Sequence, residues 1–278
     1  MGVFMKYFIS TLNFSPDTRN KISEVVPEMI QNGIDNIEIS SFHPYEENLE
    51  TLLLYYAGKD NIDIMIHNFA PPAKTNILLN LCSGDPESRK IAKECFKERI
   101  RITSEMGMYY YSFHAGFRVD YRIGVHKYTD VMARDEAMTL FLQELGEILE
   151  YAEKFKVHIG VENHVSIIEN KDNLILYEKE DWTRLFSTLS SEYLHLHLDL
   201  GHLKVTANEH GFDRMEFLKL FGHKVMCMHI HDNTGLKVDC HAPLGEDFWF
   251  GPDEFKNLPN IQYGVFETKT YGNLKLIE

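Results

Sequence analysis

Short apolar runs rich in β-branched and aromatic residues recur along the chain, and longer stretches with helical periodicity separate them. The runs span residues 7–11, 36–40, 63–68, 109–115, 158–163, 194–200, 225–231 and 263–268. Between them, residues 88–106 and 134–155 repeat their apolar positions at helix spacing, and Asp17 and the pair Asp85-Pro86 are helix-start signals. Strands that alternate with helices predict a parallel sheet, and eight of them predict closure into a (β/α)8 barrel. Such a barrel takes roughly 250 residues. The 278 residues therefore predict one domain over 1–278, and no Pro, Gly or Ser-rich linker divides the chain. Only ten residues lie between Glu267 and Glu278, too few for a full eighth helix. The barrel is expected to lack its last outer helix, with a neighbouring subunit of a homo-oligomer or the N-terminal segment covering the gap.

Charge narrows the partners. The chain carries 28 Lys and Arg against 42 Asp and Glu, a net charge of −14. An acidic surface repels a phosphate backbone and gains little from counterion release, which argues against nucleic acid as a partner. Cys82, Cys95, Cys227 and Cys240 form no CxxC pair and no disulfide framework, and are expected to be reduced thiols of a cytoplasmic protein. The N-terminal residues read as a first strand rather than a signal peptide. No apolar stretch approaches the ~18 residues that a membrane span requires.

The candidate chemistry sits where the runs end. His67 closes the third run and His114 the fourth, and Glu162 follows the apolar part of the fifth. The sixth, Leu194-His195-Leu196-His197-Leu198-Asp199, leads to His202 three residues beyond Asp199. Alternation puts His195, His197 and Asp199 on one face, with the two histidines deeper as packing or supporting groups. His229 and His231 share a face of the seventh run, Asp239 and His241 follow on the next loop, and Glu267 ends the eighth. In a β/α barrel the loops after the strands gather at one mouth. Nine donors (His67, His114, Glu162, Asp199, His202, His229, Asp239, His241 and Glu267) are thus expected to converge there. Five imidazoles and four carboxylates without a thiolate suit Zn²⁺, Mn²⁺ or Co²⁺. A buried carboxylate such as Glu162 must be protonated, paired or bound to metal.

These residues carry a resemblance. His67 with Pro71 and Leu79-Asn80-Leu81, Phe113-His114-Ala115-Gly116, Glu162-Asn163, Asp199-x-x-His202, His229-x-x-Asp232, Asp239-x-His241 with Leu244-Gly245-Glu246, and Glu267-Thr268 stand in one order. In that order they resemble the xylose isomerase-like TIM-barrel superfamily, which holds sugar isomerases and epimerases as well as apurinic endonuclease IV. In the epimerase branch, the positions matching Glu162, Asp199, His229 and Glu267 hold a single catalytic metal. In the endonuclease branch all nine positions hold three zinc ions, so the resemblance implies one to three divalent ions. No arginine stands six residues after His229, where some keto-sugar epimerases hold their substrate; Gly235 is there. The segment Phe42-His43-Pro44-Tyr45-Glu46-Glu47 is acidic, unlike the DNA-contacting loop of the endonuclease.

The expectation that follows is a divalent-metal-dependent isomerase or epimerase of a sugar, sugar phosphate or nucleotide-linked sugar. It would work through a metal-stabilised enediolate. Glu162 and Glu267 would act as acid and base, and His202 would orient a hydroxyl or complete the metal shell. The alternative is a tri-metal phosphodiesterase acting on abasic DNA, told apart by salt-sensitive DNA binding. A third reading is not an enzyme: a barrel that uses a metal structurally or binds a sugar without turnover.

Overall fold

A computed structural model of the protein describes residues 5–14, 20–41, 43–72, 79–122, 127–234 and 237–269. Its strands are β1 (Lys6–Ser10), β2 (Asn36–Ile39), β3 (Asp63–Ile66), β4 (Tyr110–His114), β5 (Tyr121–Arg122), β6 (Lys127–Tyr128), β7 (His158–Glu162), β8 (Leu194–Asp199), β9 (Val225–Ile230) and β10 (Tyr263–Phe266). Eight of them form one parallel sheet in the order β3-β2-β1-β10-β9-β8-β7-β4, while β5 and β6 pair as a small antiparallel ribbon. The sheet nearly closes: β3 meets β4 through a parallel bridge between His67 and Ser112, and the Asn68 amide donates to the Ser112 carbonyl at 2.7 Å.

Each barrel strand falls on one expected run, β1 alone of these strands starting a residue earlier, at Lys6, and each strand ends one or two residues before its run does. The difference has a cause. Residues such as His67 and Glu267 donate one last bond to the neighbouring strand, to the Ile39 carbonyl at 3.1 Å and the Ile230 carbonyl at 3.2 Å, before the chain turns over the mouth. The principal helices are α1 (Ile22–Gln31), α2 (Leu49–Ala57), α3 (Pro86–Glu105), α4 (Arg134–Phe155), α5 (Lys179–Thr188), α6 (Leu200–His210), α7 (Arg214–Phe221) and the short α8 (Pro252–Phe255). Asp85 caps α3 as its position predicted, accepting from the amides of Glu87 and Ser88, and Pro86 occupies the first turn, where no amide is needed. Asp17 and the segment beyond Thr268-Lys269, on which the expected missing helix turns, lie outside the described residues. Among those described, no helix is long and apolar enough to cross a membrane, and all four cysteines are free thiols.

Two apolar layers support the mouth. Outward-facing strand residues such as Ile64, Ile66, Met228 and Ile230 pack against the helices. Inside the barrel, Phe8, Met65, Tyr110, Cys227 and Val265 form a second cluster. Gly160 of β7 is bare because Tyr110 fills its space: an added Cβ would lie 1.8 Å from the tyrosine hydroxyl. This plug keeps the barrel a packed core rather than a pore. Above it, at the carboxyl ends of the strands, the inward residues become almost uniformly polar.

Candidate metal centre

Strand register brings the polar residues together. The ladder pairs His114 with Glu162 and Glu162 with His197, and it pairs Asp199 with His229. Glu162, Asp199, His229 and Glu267 are 1 %, 0 %, 0 % and 4 % exposed, so each charge is out of water and needs a counter-charge.

All nine expected donors meet in one connected cluster, and they sort into three groups. In the first, Glu162 Oε2 lies 3.1 Å from His67 Nε2 and 2.9 Å from His114 Nε2. In the second, His229 Nδ1 faces three carboxylates: Glu267 Oε2 at 3.1 Å, Glu162 Oε1 at 3.5 Å and Asp199 Oδ2 at 3.6 Å. In the third, Asp239 Oδ2 lies 3.1 Å from His202 Nε2 and 2.9 Å from His241 Nε2. Glu162 joins the first two groups through its two oxygens. Asp199 and His202 also approach each other, with His202 Nδ1 3.7 Å from Asp199 Oδ2. The close approach of Asp199 to α6 follows from capping: its Oδ1 accepts from the His202 amide at 2.7 Å.

The imidazoles are held from behind. His67 Nδ1 bonds Ser112 Oγ at 2.9 Å, His202 Nδ1 the Asn163 carbonyl at 2.9 Å, and His241 Nδ1 the Glu267 carbonyl at 3.0 Å. His229 is held the other way round, with Nε2 3.1 Å from Glu38 Oε2. A carbonyl can only accept, so it fixes a proton on the nitrogen facing it and leaves the opposite nitrogen free to ligate. Metal-binding histidines are commonly oriented in this manner.

Electrostatics point the same way. Burial by itself would raise Glu162, but His114, His67 and His229 outweigh it and hold the carboxyl well below its usual range. Burial likewise opposes the ionisation of Glu267, yet His229 and His241 bring it down to about 2. Burial would lower His202 and His229. Instead Asp199 and Asp239 raise the first, and Glu267 and Glu38 the second, well above the ordinary imidazole value. The cluster therefore demands positive charge at its centre, which protons or divalent ions can supply.

The residues fit a divalent metal. Glu162 Oε2 and His229 Nδ1 are buried and have donors or acceptors close by, yet neither makes a directed hydrogen bond. Converging but misaligned lone pairs are what a shared ion requires. The adjacent Cys240 does not join the set; its Sγ turns to Asn233 Oδ1 at 3.2 Å.

Several contributors lay beyond the sequence reading. Glu38 is fully buried on β2, and its Oε2 faces His229 Nε2. Its position inside the apolar run Asn36-Ile37-Glu38-Ile39, rather than at the end of it, hides it from the rule that singled out Glu162 and Glu267; the signal it does carry is that of a carboxylate among buried apolar residues. His231 donates toward Asp199 Oδ2 at 3.0 Å, and its ring stacks on His241 with centroids 4.2 Å apart. Asn233 pins the Asp239–His241 loop: its Oδ1 accepts from the Cys240 amide at 2.7 Å, and its Nδ2 donates to Asp239 at 3.1 Å. His197 lies under the centre as expected, its Nδ1 bonded to the Tyr110 hydroxyl at 3.0 Å and its ring 4.1 Å from that of His229. His195 does not lie under the centre with it; it sits at the opposite end of the barrel.

Comparison with known proteins bears on the fold. A family model described as xylose isomerase-like TIM barrel matches residues 27–263. No curated protein matches the chain in sequence. Among solved structures, a D-tagatose 3-epimerase-like protein is similar with TM-score 0.71 and 20% identity, over 98% of this chain and 95% of that one. D-psicose 3-epimerase from Clostridium cellulolyticum H10, solved with D-tagatose, gives TM-score 0.68 and 14% identity over 99% and 90% of the two chains. IolI protein with a binding zinc atom gives TM-score 0.69 and 16% identity over 97% and 92%. At such identities the likeness is one of fold.

Proposed function

The chain belongs to the xylose isomerase-like TIM barrel family, and from that premise we propose that it is a divalent-metal-dependent isomerase or epimerase of a sugar or sugar phosphate. The observation that carries this reading is the trio around His229 Nδ1: Glu162 and Glu267 both approach that nitrogen, at 3.5 Å and 3.1 Å, from different strands. Two carboxylates that share one centre can divide the roles of proton acceptor and proton donor across a substrate carbon. A bound Zn²⁺ or Mn²⁺ would supply Lewis-acid stabilisation for the charge that develops on a carbonyl when the neighbouring C–H is deprotonated. Glu162, Asp199, His229 and Glu267 would hold that ion. His202, fixed by Asn163 and Asp239, orients a substrate hydroxyl. The apolar plug of Phe8, Tyr110 and Val265 closes the floor, so the substrate meets the carboxylates from the mouth alone.

The sorting of nine donors into three groups favours a second reading, a tri-metal phosphodiesterase. Three ions could clamp a phosphate and activate water. The net charge of −14 opposes it for a DNA substrate.

The experiment that separates them uses one zinc- or manganese-loaded preparation on two substrates. On a panel of ketoses and their phosphates, epimer or isomer formation that chelation abolishes is the expected result. Nicking of an abasic-site oligonucleotide at low salt, lost in a Glu162→Gln control, would instead establish the phosphodiesterase.

A further inference from the structure

The outer face of α2 carries apolar side chains where a surface helix normally carries charge. Every residue of the helix except Glu50 and Thr51 is apolar or aromatic, yet only Leu49 and Leu53 are buried. Thr51, Leu52, Tyr55 and Tyr56 follow one another at helix spacing, and Tyr55 is 61 % exposed. Lys59, just past the helix, lies over the Tyr55 and Tyr56 rings at 4.5 and 4.6 Å.

The same stripe holds a hole as well as a knob. A groove of about 700 Å³ separates the start of α2 from α3. Tyr45, Pro71, Pro72 and Ile102 give it apolar walls, Thr51 lines it too, and the Glu94 and Glu98 carboxylates there can accept from a hydroxyl. Tyr55 stands one turn beyond Thr51 on the same face. The charges continue that order. Lys59 stands one turn beyond Tyr55, and Glu47 one turn before Thr51, both exposed. Neither makes an ion pair among the described residues.

We propose that this face joins two copies of the chain into a dimer with two-fold symmetry. Two α2 helices packed antiparallel, with the axis level with Leu53, set Tyr55 of each copy into the groove beside the partner's Thr51. The same operation sets Lys59 against the partner's Glu47. One axis satisfies both pairs, since Leu53 lies midway between Thr51 and Tyr55 and midway between Glu47 and Lys59. A two-fold interface requires such self-complementarity, and a foreign partner does not. Tyrosine is among the residues that most often anchor such contacts. The opposed charges at the two ends offset the mutual repulsion of chains that each carry a net charge of −14. The contact extends beyond one helix to α3 and Pro71-Pro72, as the roughly 800 Å² per partner of a stable interface requires.

The test is sedimentation velocity of the full chain over a concentration series. Wild type is run beside Tyr55→Asp, Lys59→Glu and the double variant Lys59→Glu, Glu47→Lys. All three positions are exposed, so the variants should fold. Wild type is expected to form a reversible dimer, and Tyr55→Asp to weaken its Kd by about 30-fold or more, the cost of losing an anchoring residue. Lys59→Glu should weaken the dimer as well, and the double variant should restore it, because the exchanged charges meet across the two-fold axis. A wild type that stays monomeric throughout would overturn the proposal. So would a dimer indifferent to Tyr55→Asp, or a Lys59→Glu defect that Glu47→Lys does not repair.

Discussion

Glu162→Gln is expected to lower kcat on the sugar substrate by about 10²–10⁴-fold, the range ascribed to a positioned acid or base, and to reduce the bound metal. One carboxylate stands at the junction of two donor groups. Its Oε2 serves His67 and His114, and its Oε1 faces His202 at 3.3 Å and His229 at 3.5 Å. An amide of the same shape keeps the packing but removes the negative charge and turns an N–H toward nitrogens that already need an acceptor. It can neither bridge two ions nor take a proton from carbon. The fold should survive, because the imidazoles can shed protons when the carboxylate is gone. Metal analysis beside steady-state kinetics reads both effects. Wild-type turnover at wild-type metal content would exclude Glu162 from the chemistry.

Glu38→Gln is expected to weaken metal binding about 10–100-fold, the cost typical of removing a partner that orients a ligating histidine. Glu38 touches no substrate on this reading; it acts through His229. Both side chains are fully buried, and the contact from His229 Nε2 to Glu38 Oε2 leaves Nδ1 aimed at Glu162, Asp199 and Glu267. A carboxylate behind the ring also makes its far nitrogen a stronger donor. Glutamine can accept from Nε2 but brings no charge, and its amide can turn to present a competing N–H. Competition with a chromophoric chelator measures the loss. Unchanged affinity in a folded Glu38→Gln protein would show that the ring is held by its packing on His197 and His67 rather than by the carboxylate.

Much of this architecture is legible in the amino-acid sequence, because a parallel barrel strand is buried on both faces and reads as an apolar run that ends in a functional residue. Phe113-His114, Val161-Glu162 and Phe266-Glu267 all follow that grammar, and so the donors at the mouth can be found without coordinates. Glu38 breaks it. It stands one residue inside its strand, flanked by Ile37 and Ile39, so a search for polar residues at the ends of runs passes over it. The supports are harder still. Asn13 Nδ2 donates to the Phe266 carbonyl at 2.7 Å, and Asn13 accepts from the Thr268 hydroxyl at 2.6 Å, across more than 250 residues of chain. No local spacing announces such a pair. The same holds for His158 and His195, which the offset of β7 and β8 brings together. Alternation along β8 correctly put His195 and His197 on one face, but depth along the strand decided their company: His197 lies against His229, and His195 lies at the far pole. The way β3 meets β4 was also invisible, since a seam closed by the His67–Ser112 bridge has no signature in either run.

The most direct measurement is proton NMR of candidate ketoses incubated in deuterium oxide with the metal-loaded protein and, in parallel, with Glu162→Gln. Wild-type protein should replace the hydrogen on the carbon next to the carbonyl with deuterium as the epimer or isomer accumulates, and the variant should leave it in place. Turnover without any deuterium in the product would contradict proton transfer through the two glutamates and leave a hydride shift in its stead.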